Sequence, residues 1–485
     1  MSRPSALIEH LLRRAGFGAT PAERDSYDGM DYYEAVSQLL DYDPAATDID
    51  AKIGTPGYVG ITTGGQFLPN QTINQTRQRW LFRMVHSPAP LQEKMALFWH
   101  HHFATAYSKV SGLIGATDGA RMMDAKPSED PAGARGQIQL FRDQALGNFR
   151  DLLLAIAKDN AMLVWLDGRT NTKAKPQENF GRELMELFTF GVENYVETDV
   201  YAAARVFTGW NQTTVGTSGT SSAFFAFNYN AAQHDVGEKV FSFPIYDNGS
   251  KKIPARSATA GMQDGIDLIN ALAIHPGTAR RLAKRLWTWF VSETTAPDEA
   301  FVEQVADVYL NTGTNMKATM RAVLVSPQFM DSANFYKRYA WPVEFVVRSL
   351  KEVGYLGFSV NDALTPLLNM GQQLYEPPDV SGWDLGPDWF STGGMLARMN
   401  FASQLATNQK FALREAARPS KGSPQTLVNF AVDRLSLPPL DSAVVTTLTD
   451  YVRAGGTWVG SEAQLLAKSG GVFHLLTGAG EYQFV

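Results

Sequence analysis

Three consecutive histidines, His100, His101 and His102, are the residues whose types and spacing most directly predict chemistry in this chain. Histidine titrates near neutral pH and is the commonest protein ligand for metal ions. Adjacent side chains on a helix point about 100° apart, so His100 and His102 lie on nearly opposite faces. The triplet therefore predicts one of two arrangements. Either one or two imidazoles face a site, or all three are packed and bonded to backbone carbonyls.

A second polar group follows in an apolar setting, in the segment 179–191. Glu183 and Glu186 are three residues apart, which puts both carboxylates on one face of a helix. Paired carboxylates suit general acid–base work. Arg182 is four residues before Glu186, and a plain Arg–Glu ion pair is the structural alternative. Asn179 adds an amide that can hydrogen-bond within the same cluster.

His234 and Asp235 are adjacent in a region of different composition. An aspartate beside a histidine can orient the imidazole or add a metal ligand, although Asp and Gly are also ordinary turn residues. We predict that these groups converge with the first two, with Arg182 holding a carboxylate. The predicted metal ligands are His100, His102, His234 and Asp235, and the predicted catalytic residues are Asn179, Arg182, Glu183 and Glu186.

A Pro-, Gly- and Trp-rich stretch at 377–389 contains Trp383 and Trp389. Exposed indoles beside Gly and Pro can stack on sugar rings. Tryptophan is usually largely buried, however, and the interpretation we favour is that both indoles fill the core.

The elements that must position these residues are mostly helical. Apolar residues recur at helical spacing, and the capping pattern at 20–23 marks one helix start. Residues 211–256 are instead rich in Thr, Ser, Gly and Asn with alternating or aromatic runs, which favours a β-hairpin. Helices are predicted at about 72–86, 90–108, 136–146 and 148–164, with irregular structure at 111–133.

The predicted fold is therefore mainly α, a multi-helix globular array with a small β-hairpin insertion near residues 211–256. The length of 485 residues exceeds the usual size of one core. The predicted division is an N-terminal helical lobe at 1–210 that carries the His and Glu motifs, the β and loop insertion at 211–256, and a C-terminal helical lobe at 257–485.

Composition excludes several classes of function. The net charge of −6 gives no basic footprint for nucleic acid. The chain has no cysteine, so disulfides, thiolate metal sites and thiol nucleophiles are excluded. We see no uncharged apolar run long enough for a transmembrane segment and no signal peptide, because Glu9 and His10 interrupt the N-terminal segment. A phosphate-binding loop, a dinucleotide fingerprint and a nucleophile elbow are also missing from the sequence.

In this context the sequence resembles the bacterial family known as domain of unknown function 1800. The resemblance covers nearly the whole chain in order. The matching segments are Leu11–Gly18, Phe98–Phe103, Asn179–Gly191, Ala203–Trp210, His234-Asp235, Pro377–Trp383, His474–Leu476 and Glu481–Gln483.

The resemblance implies paired histidines at His100 and His102, whereas the position of His101 is usually Asn in the family. It also implies a possible partner, because relatives are often encoded beside a sulfatase-like protein exported by the twin-arginine route. Many relatives carry an export signal. The resemblance itself supplies no reaction.

Two classes of function remain open from the sequence. One is a metal-assisted hydrolase or related enzyme acting on a polysaccharide or on cell-envelope material, in which a divalent ion activates water and Glu183 or Glu186 is the general base. The other is a non-catalytic envelope binding or assembly protein whose buried polar cluster is structural. For location, the sequence predicts either a cytoplasmic protein or one exported together with its partner.

Overall fold

The computed structural model describes residues 4–217 and 224–485. Within these residues the protein is mainly α-helical, as the sequence predicts. The helices are α1 Ala6–Arg14, α2 Pro21–Ser26, α3 Tyr32–Leu40, α4 Ile73–His86, α5 Pro90–His102, α6 Tyr107–Ile114, α7 Ala116–Asp124, α8 Gln137–Asp143, α9 Phe149–Ala157, α10 Asn160–Trp165, α11 Asn179–Glu186, α12 Glu197–Val206, α13 Met262–Ala273, α14 Pro276–Leu286, α15 Glu299–Asn311, α16 Met316–Leu324, α17 Pro327–Met330, α18 Pro342–Val353, α19 Asn361–Asn369, α20 Thr392–Asn408, α21 Lys410–Ala417, α22 Pro424–Arg434, α23 Ser442–Arg453 and α24 Glu462–Gly478.

The insertion predicted near residues 211–256 contains two small antiparallel sheets. Strand β1 (Trp210–Val215) pairs with β2 (Phe224–Tyr229), and β3 (Lys239–Val240) pairs with β4 (Lys252–Ile253). The aromatic run that begins at residue 223 forms β2, and residue 223 itself lies outside the described residues. The hairpin prediction is confirmed, and the second short pair was not foreseen.

Capping residues decide where several helices begin. Thr20 and Glu23 form the predicted reciprocal cap of α2, with bonds of 3.2 and 2.6 Å between each side chain and the other residue's N–H. Asp159 accepts the Met162 N–H at 2.8 Å and starts α10. The single helix predicted at 148–164 is therefore two helices, α9 and α10. The stretch predicted as irregular at 111–133 contains α7.

One continuous hydrophobic core joins the segments that were predicted as separate lobes. It includes residues from Ile8 to Val485. Polar contacts also cross between the segments: Arg14 Nη2 donates to the Val291 carbonyl at 2.7 Å, and the buried Lys94 pairs with Glu344. The division into lobes stays a prediction. In the described part of the chain, no helix is long and apolar enough to cross a membrane.

The candidate site depends on three elements that are distant in sequence: the C-terminal end of α5, the helix α11 with the residues after it, and α14. A π-helical turn, Trp287–Val291, continues α14 without a break. The long loop between α19 and α20 closes over the end of α5.

Candidate functional site

His100 is fully buried and surrounded by aromatic rings. Its ring centroid lies 5.2 Å from Trp383, 5.6 Å from Trp80 and 5.8 Å from Tyr375. Burial lowers its pKa to about 3, so the imidazole is neutral at physiological pH. Neither ring nitrogen hydrogen-bonds to another described residue.

His101 connects α5 to the loop that precedes α20. Its Nδ1 atom accepts the main-chain N–H of Trp383 at 3.2 Å, and its ring stacks on Trp289 with centroids 5.7 Å apart. Burial and then the charge of Arg285 lower the pKa of His101 well below its usual value. An acceptor at Nδ1 requires the neutral tautomer with its proton on Nε2. An Asn at this position, the residue usual in the family that the sequence resembles, also offers an acceptor oxygen.

The loop approaches His101 closely because residue 382 is a glycine. Gly382 has φ +98°, and a Cβ atom there would lie 2.3 Å from His101 Nδ1. Only glycine satisfies both the backbone conformation and the contact.

His102 connects α5 to the segment after α11. Its Nε2 atom donates to the carbonyl oxygen of Phe188 at 3.1 Å. Burial, followed by the charges of Arg285 and Arg281, lowers the pKa of His102 well below its usual value. The segments 98–103 and 179–191 therefore touch, as a shared site requires.

Helix α11 is amphipathic. Its buried residues are Phe180, Gly181, Leu184 and Met185. A Cβ on Gly181 would lie 2.9 Å from the Ala203 Cβ, so glycine allows α11 to pack closely against α12. The opposite face carries the predicted catalytic residues.

Three of these four side chains have partners on neighbouring parts of the protein. Arg182 pairs with Glu197 at 2.5 Å and with Glu178 at 3.5 Å, so the suggested pair with Glu186 is replaced by Glu197 and Glu178. Glu186 accepts the Tyr195 hydroxyl at 2.5 Å. Asn179 is exposed and donates to Asp167 at 2.8 Å.

Glu183 is half-buried, and burial raises its pKa. The negative charge of Glu186 raises it further, the charge of Arg182 opposes the rise, and Asp379 from the loop before α20 adds to it. A carboxyl group with a raised pKa keeps more of its protonated form near neutral pH, which suits a general acid.

His234 and Asp235 belong to a separate hydrogen-bonded network. His234 contacts the Thr208 carbonyl at 2.8 Å and Asp264 at 3.3 Å, while Asp235 forms an ion pair with Arg205 at 2.8 Å. These contacts tie the 230–264 region to itself, to α12 and to the residues just after α12. The ligand role of His234 and Asp235 stays a prediction.

The described residues contain no group of three or more His, Asp or Glu side chains placed to hold one metal ion. His100, His102, His234 and Asp235 each have different surroundings. This arrangement does not fit a metal centre. Metal binding by the chain stays a prediction.

A cavity of about 920 Å³ opens beside His101. Its wall combines the end of α5, the residues after α11, one face of α14 with the π-helical turn, and the loop before α20. The residues that line it and enter the argument are His101, Arg281, Arg285, Trp289, Trp383 and Asp384. Trp383 and Trp389 are only 4% and 5% exposed, so both indoles are packed in the core as favoured above, although one edge of Trp383 forms part of the wall.

Two guanidinium groups in this wall have no carboxylate partner among the described residues. Arg281 donates to the Leu187 carbonyl at 3.2 Å, and its Nε atom is buried without a partner. Burial and the neighbouring charge of Arg281 lower the pKa of Arg285 to about 9. Arg280, one position before Arg281, is by contrast neutralised by Glu299 at 2.7 Å and by Glu303. The cavity wall therefore combines these two arginines, neither of which is in an ion pair among the described residues, with the carboxylates of Glu193, Asp384 and Asp388.

Sequence reasoning missed Arg281 and Arg285. They lie four residues apart, so their charges repel on one helix face. This spacing was the one sequence feature that could have indicated an anion site. It is a weak indicator, because two arginines four residues apart are also common on exposed helix faces. Which face of α14 lines the cavity depends on the folded structure and cannot be predicted from the sequence.

No curated protein and no solved structure shows a significant match to this chain. The sequence model of one family, described as "Protein of unknown function (DUF1800)", matches residues 10–484, which is nearly the whole length. The resemblance drawn from the motifs is thereby confirmed, and the chain belongs to the DUF1800 family.

Proposed function

We propose that this protein binds an acidic polysaccharide or similar cell-envelope polymer in the cavity beside His101 and hydrolyses it. The observation that carries the proposal is the pair Arg281 and Arg285, two cavity-lining guanidiniums without a carboxylate partner among the described residues. An anionic group of the ligand would supply that partner.

The positive charges of Arg281 and Arg285 have an unfavourable free energy in the absence of an anion. Burying a charge without a partner is unfavourable, and two guanidiniums on one helix face also repel each other. A carboxylate or sulfate relieves both effects and can accept two parallel hydrogen bonds from a guanidinium. Arginine is the side chain best suited to this planar, bidentate recognition.

The hydrolytic part of the proposal assigns the acid role to Glu183, which lies on α11 outside the cavity lining, in the helix just before the lining residues 190–194. Protonated Glu183 would donate its proton to the leaving oxygen as water attacks the carbon that bears it, so the bond breaks with a neutral leaving group. The proton that the added water loses would return to the Glu183 carboxylate and restore the acid. Glu186 and Asp379 favour this role, because their charges make Glu183 release its proton less readily.

The second candidate is a non-catalytic envelope protein that binds the same polymer. It would bind the polymer through the same two arginines, Arg281 and Arg285, but would not cleave it. The mostly partnered polar face of α11 favours it, since Asn179, Arg182 and Glu186 all bond to neighbouring protein groups.

The test is binding to matched acidic and neutral polysaccharides, such as hyaluronan and dextran, measured with the full chain by calorimetry. We expect selective binding of the acidic polymer, weakened about 10- to 100-fold in Arg285→Gln, as the loss of a charged hydrogen bond predicts. The control variant is Arg453→Gln, whose exposed arginine pairs with Asp450 at 3.2 Å far along the chain. Equal binding of both polymers, or unchanged binding in Arg285→Gln, overturns the proposal.

Release of reducing ends then separates the two candidates. Production of new reducing ends that stops in Glu183→Gln, while binding is retained, supports the hydrolase. Tight binding without release in the wild-type protein supports the binding protein.

The sulfatase-like exported partner belongs to the same proposal, since an envelope polymer must be reached outside the cytoplasm. Cell fractionation of the native host, with and without that neighbour, tests it. A protein that stays wholly cytoplasmic while the neighbour is exported contradicts export with the partner and weakens the polysaccharide assignment.

A further inference from the structure

The wall of the cavity beside His101 carries charges of both signs on separate elements. Arg281 and Arg285 lie on α14, and Asp384 and Asp388 lie on the loop before α20. Within the described residues, none of these four side chains is in an ion pair. The cavity thus keeps two guanidiniums and two carboxylates available to a ligand at the same time.

A third carboxylate, that of Glu193, belongs to the same wall. Glu193 is exposed in the helical turn Val192–Asn194, and it has no ion-pair partner in the part of the chain that the structure describes. Gly191, which precedes this turn, lies beside the arginines, because a Cβ atom on it would be 3.7 Å from Arg281 Nη1. The carboxylates therefore do not gather at one end of the cavity, and both signs of charge line the space that a ligand would occupy.

The other basic residues of this wall differ, because the protein neutralises them itself. Arg280 pairs with Glu299 at 2.7 Å and with Glu303, and Lys284 lies 3.9 Å from Glu299. These acidic partners come from α15, which packs against α14. The charges that the wall leaves for a ligand are therefore two positive and three negative ones.

A ligand that fills the cavity removes water from both kinds of group. Each charged group then loses hydration and needs a counter-charge or hydrogen bonds from the ligand. A ligand with only negative charge would serve the arginines and bring like charge to the carboxylates, which is unfavourable. A ligand with both signs of charge complements the whole wall.

We infer that the unit bound in this cavity is zwitterionic, with a carboxylate and a free ammonium group, as in an acidic polysaccharide whose amino sugars are not N-acetylated. This inference rests on the function proposed above and narrows its substrate class. The ligand carboxylate would pair with Arg281 and Arg285, and its ammonium group with Asp384 or Asp388. The cavity volume of about 920 Å³ lies within the range of about 300–1,000 Å³ that is typical of small-ligand pockets, which suits a unit that contacts both sets of charges.

Both sets of charges are held by the protein without a ligand. Arg281 Nη2 donates to the Leu187 carbonyl at 3.2 Å. Asp384 directly follows Trp383, whose main-chain N–H is bound to His101 Nδ1 at 3.2 Å. Groups that are fixed beforehand lose less conformational freedom when a ligand binds. The cavity is therefore organised in advance for a positive and a negative group of the ligand.

The test uses two oligosaccharides that differ in one kind of group. Hyaluronan tetrasaccharides carry N-acetylated amino sugars, and their N-deacetylated counterparts carry the same carboxylates with free ammonium groups. Calorimetry on the full chain at about pH 6 keeps these amines protonated, since simple amino groups titrate above about pH 7.5. We expect the N-deacetylated form to bind at least about tenfold more tightly, as a hydrogen bond between charged groups predicts.

The double variant Asp384→Asn/Asp388→Asn should remove most of this advantage without weakening the binding of hyaluronan, whereas Arg285→Gln should weaken both oligosaccharides. The net charge of −6 attracts any cation to some extent, so a control with the same change of charge is needed. Asp247→Asn/Asp307→Asn removes two exposed carboxylates outside the cavity wall and should keep the advantage.

Equal affinity for the two forms, or tighter binding of hyaluronan itself, overturns the zwitterionic ligand. If Arg285→Gln still weakens binding in that case, the anion site of the proposed function stands. An advantage that persists in Asp384→Asn/Asp388→Asn, or that falls equally in the control, also overturns the inference.

Chitosan tetrasaccharides carry ammonium groups without carboxylates and should bind more weakly than N-deacetylated hyaluronan. Equal affinity for these two ligands would mean that the cavity recognises a cation alone, which contradicts the inference. Failure of both forms of hyaluronan to bind overturns the proposed function together with the inference.

Discussion

The Nδ1 atom of His101 accepts a hydrogen bond from the main-chain N–H of Trp383, which lies 282 residues further along the chain. This contact fixes the loop that supplies Trp383 and Asp384 to the cavity wall. It also gives His101 a physical role in the position of this loop.

The first prediction concerns this hydrogen bond. His101→Leu removes the acceptor and leaves a buried N–H unpaired, which costs about 1–3 kcal/mol. His101→Asn restores an acceptor oxygen. We expect hydrogen exchange of the Trp383 amide to accelerate at least tenfold in the Leu variant and to stay closer to wild type in the Asn variant. Equal exchange in both variants would contradict the role assigned to His101.

The second prediction concerns a buried ion network that joins α5 to α18. Glu344 accepts hydrogen bonds from Arg338 at 2.6 and 2.5 Å and pairs with Lys94, and all three side chains are buried. Glu344→Gln leaves two buried cations underneutralised. We expect the free energy of unfolding in urea to fall by about 3–5 kcal/mol. Glu238→Gln, which breaks only the exposed pair with Lys252 at 3.1 Å, is the control and should change little.

The third prediction concerns acid. Burial alone would raise the pKa of Glu344, but the charges of Arg338 and Lys94 outweigh it and lower the pKa to about 2. The unfolded value is about 4.3, so this carboxylate adds stability above about pH 4.3 that is lost progressively as pH falls toward 2.

The measurement is urea unfolding of wild type and Glu344→Gln from pH 7 to pH 2. The stability difference between the two proteins should be constant down to about pH 4.3 and shrink below it. A difference that does not change with pH would show that Glu344 does not titrate in this way.

The fourth prediction concerns the pH dependence of hydrolysis. A general acid works only when it is protonated, so activity should fall as pH rises through the raised pKa of Glu183. Asp379→Asn removes a charge that raises this pKa, and Arg182→Gln removes one that lowers it. We expect the alkaline limb of the kcat profile to move to lower pH in the first variant and to higher pH in the second. Shifts in the same direction would argue against Glu183 as the acid.

The fifth prediction tests the metal hypothesis directly. It requires about one zinc, iron, manganese or copper ion per chain, and that metal must be lost in His100→Phe, which keeps an aromatic ring in the same packing. Elemental analysis of the full chain measures it, with His474→Ala on the half-buried side of α24 as the control. A metal-free wild-type protein, or metal retained in His100→Phe, contradicts the hypothesis.

Local sequence patterns predicted most of the fold because helix formation depends on spacing and caps that are written locally. The start of α2 at the Thr20 cap and the presence of a hairpin in the insertion are examples. The incorrect prediction of one helix at 148–164 also has a local cause. Asp159 caps the start of α10, but nothing in the sequence around it distinguishes a cap from a residue inside a continuous helix.

The candidate site was only partly predictable, because its geometry depends on contacts between distant segments. The contact of His102 with Phe188 agrees with the expected convergence of two motifs. His234 bonds to Thr208 and Asp264, which the sequence did not indicate, because adjacent polar residues carry no information about which network they join. Arg285 had only the weak signal of its four-residue spacing from Arg281, and its place in the cavity wall is known only from the folded structure.

The π-helical turn at Trp287–Val291 means that this part of the helix has a wider turn than an α-helix, with one extra residue in each hydrogen-bonded loop. The side chain of Trp289 therefore points in a direction set by the π-helical turn. The side chains of Arg281 and Arg285 follow the regular geometry of α14. Deleting one residue from this turn would restore ordinary α-helical geometry. The indole of Trp289 would then rotate by about 100° around the helix axis and no longer stack on the His101 ring. The stacked pair of Trp289 and His101 thus depends on the number of residues in this turn as much as on their identities.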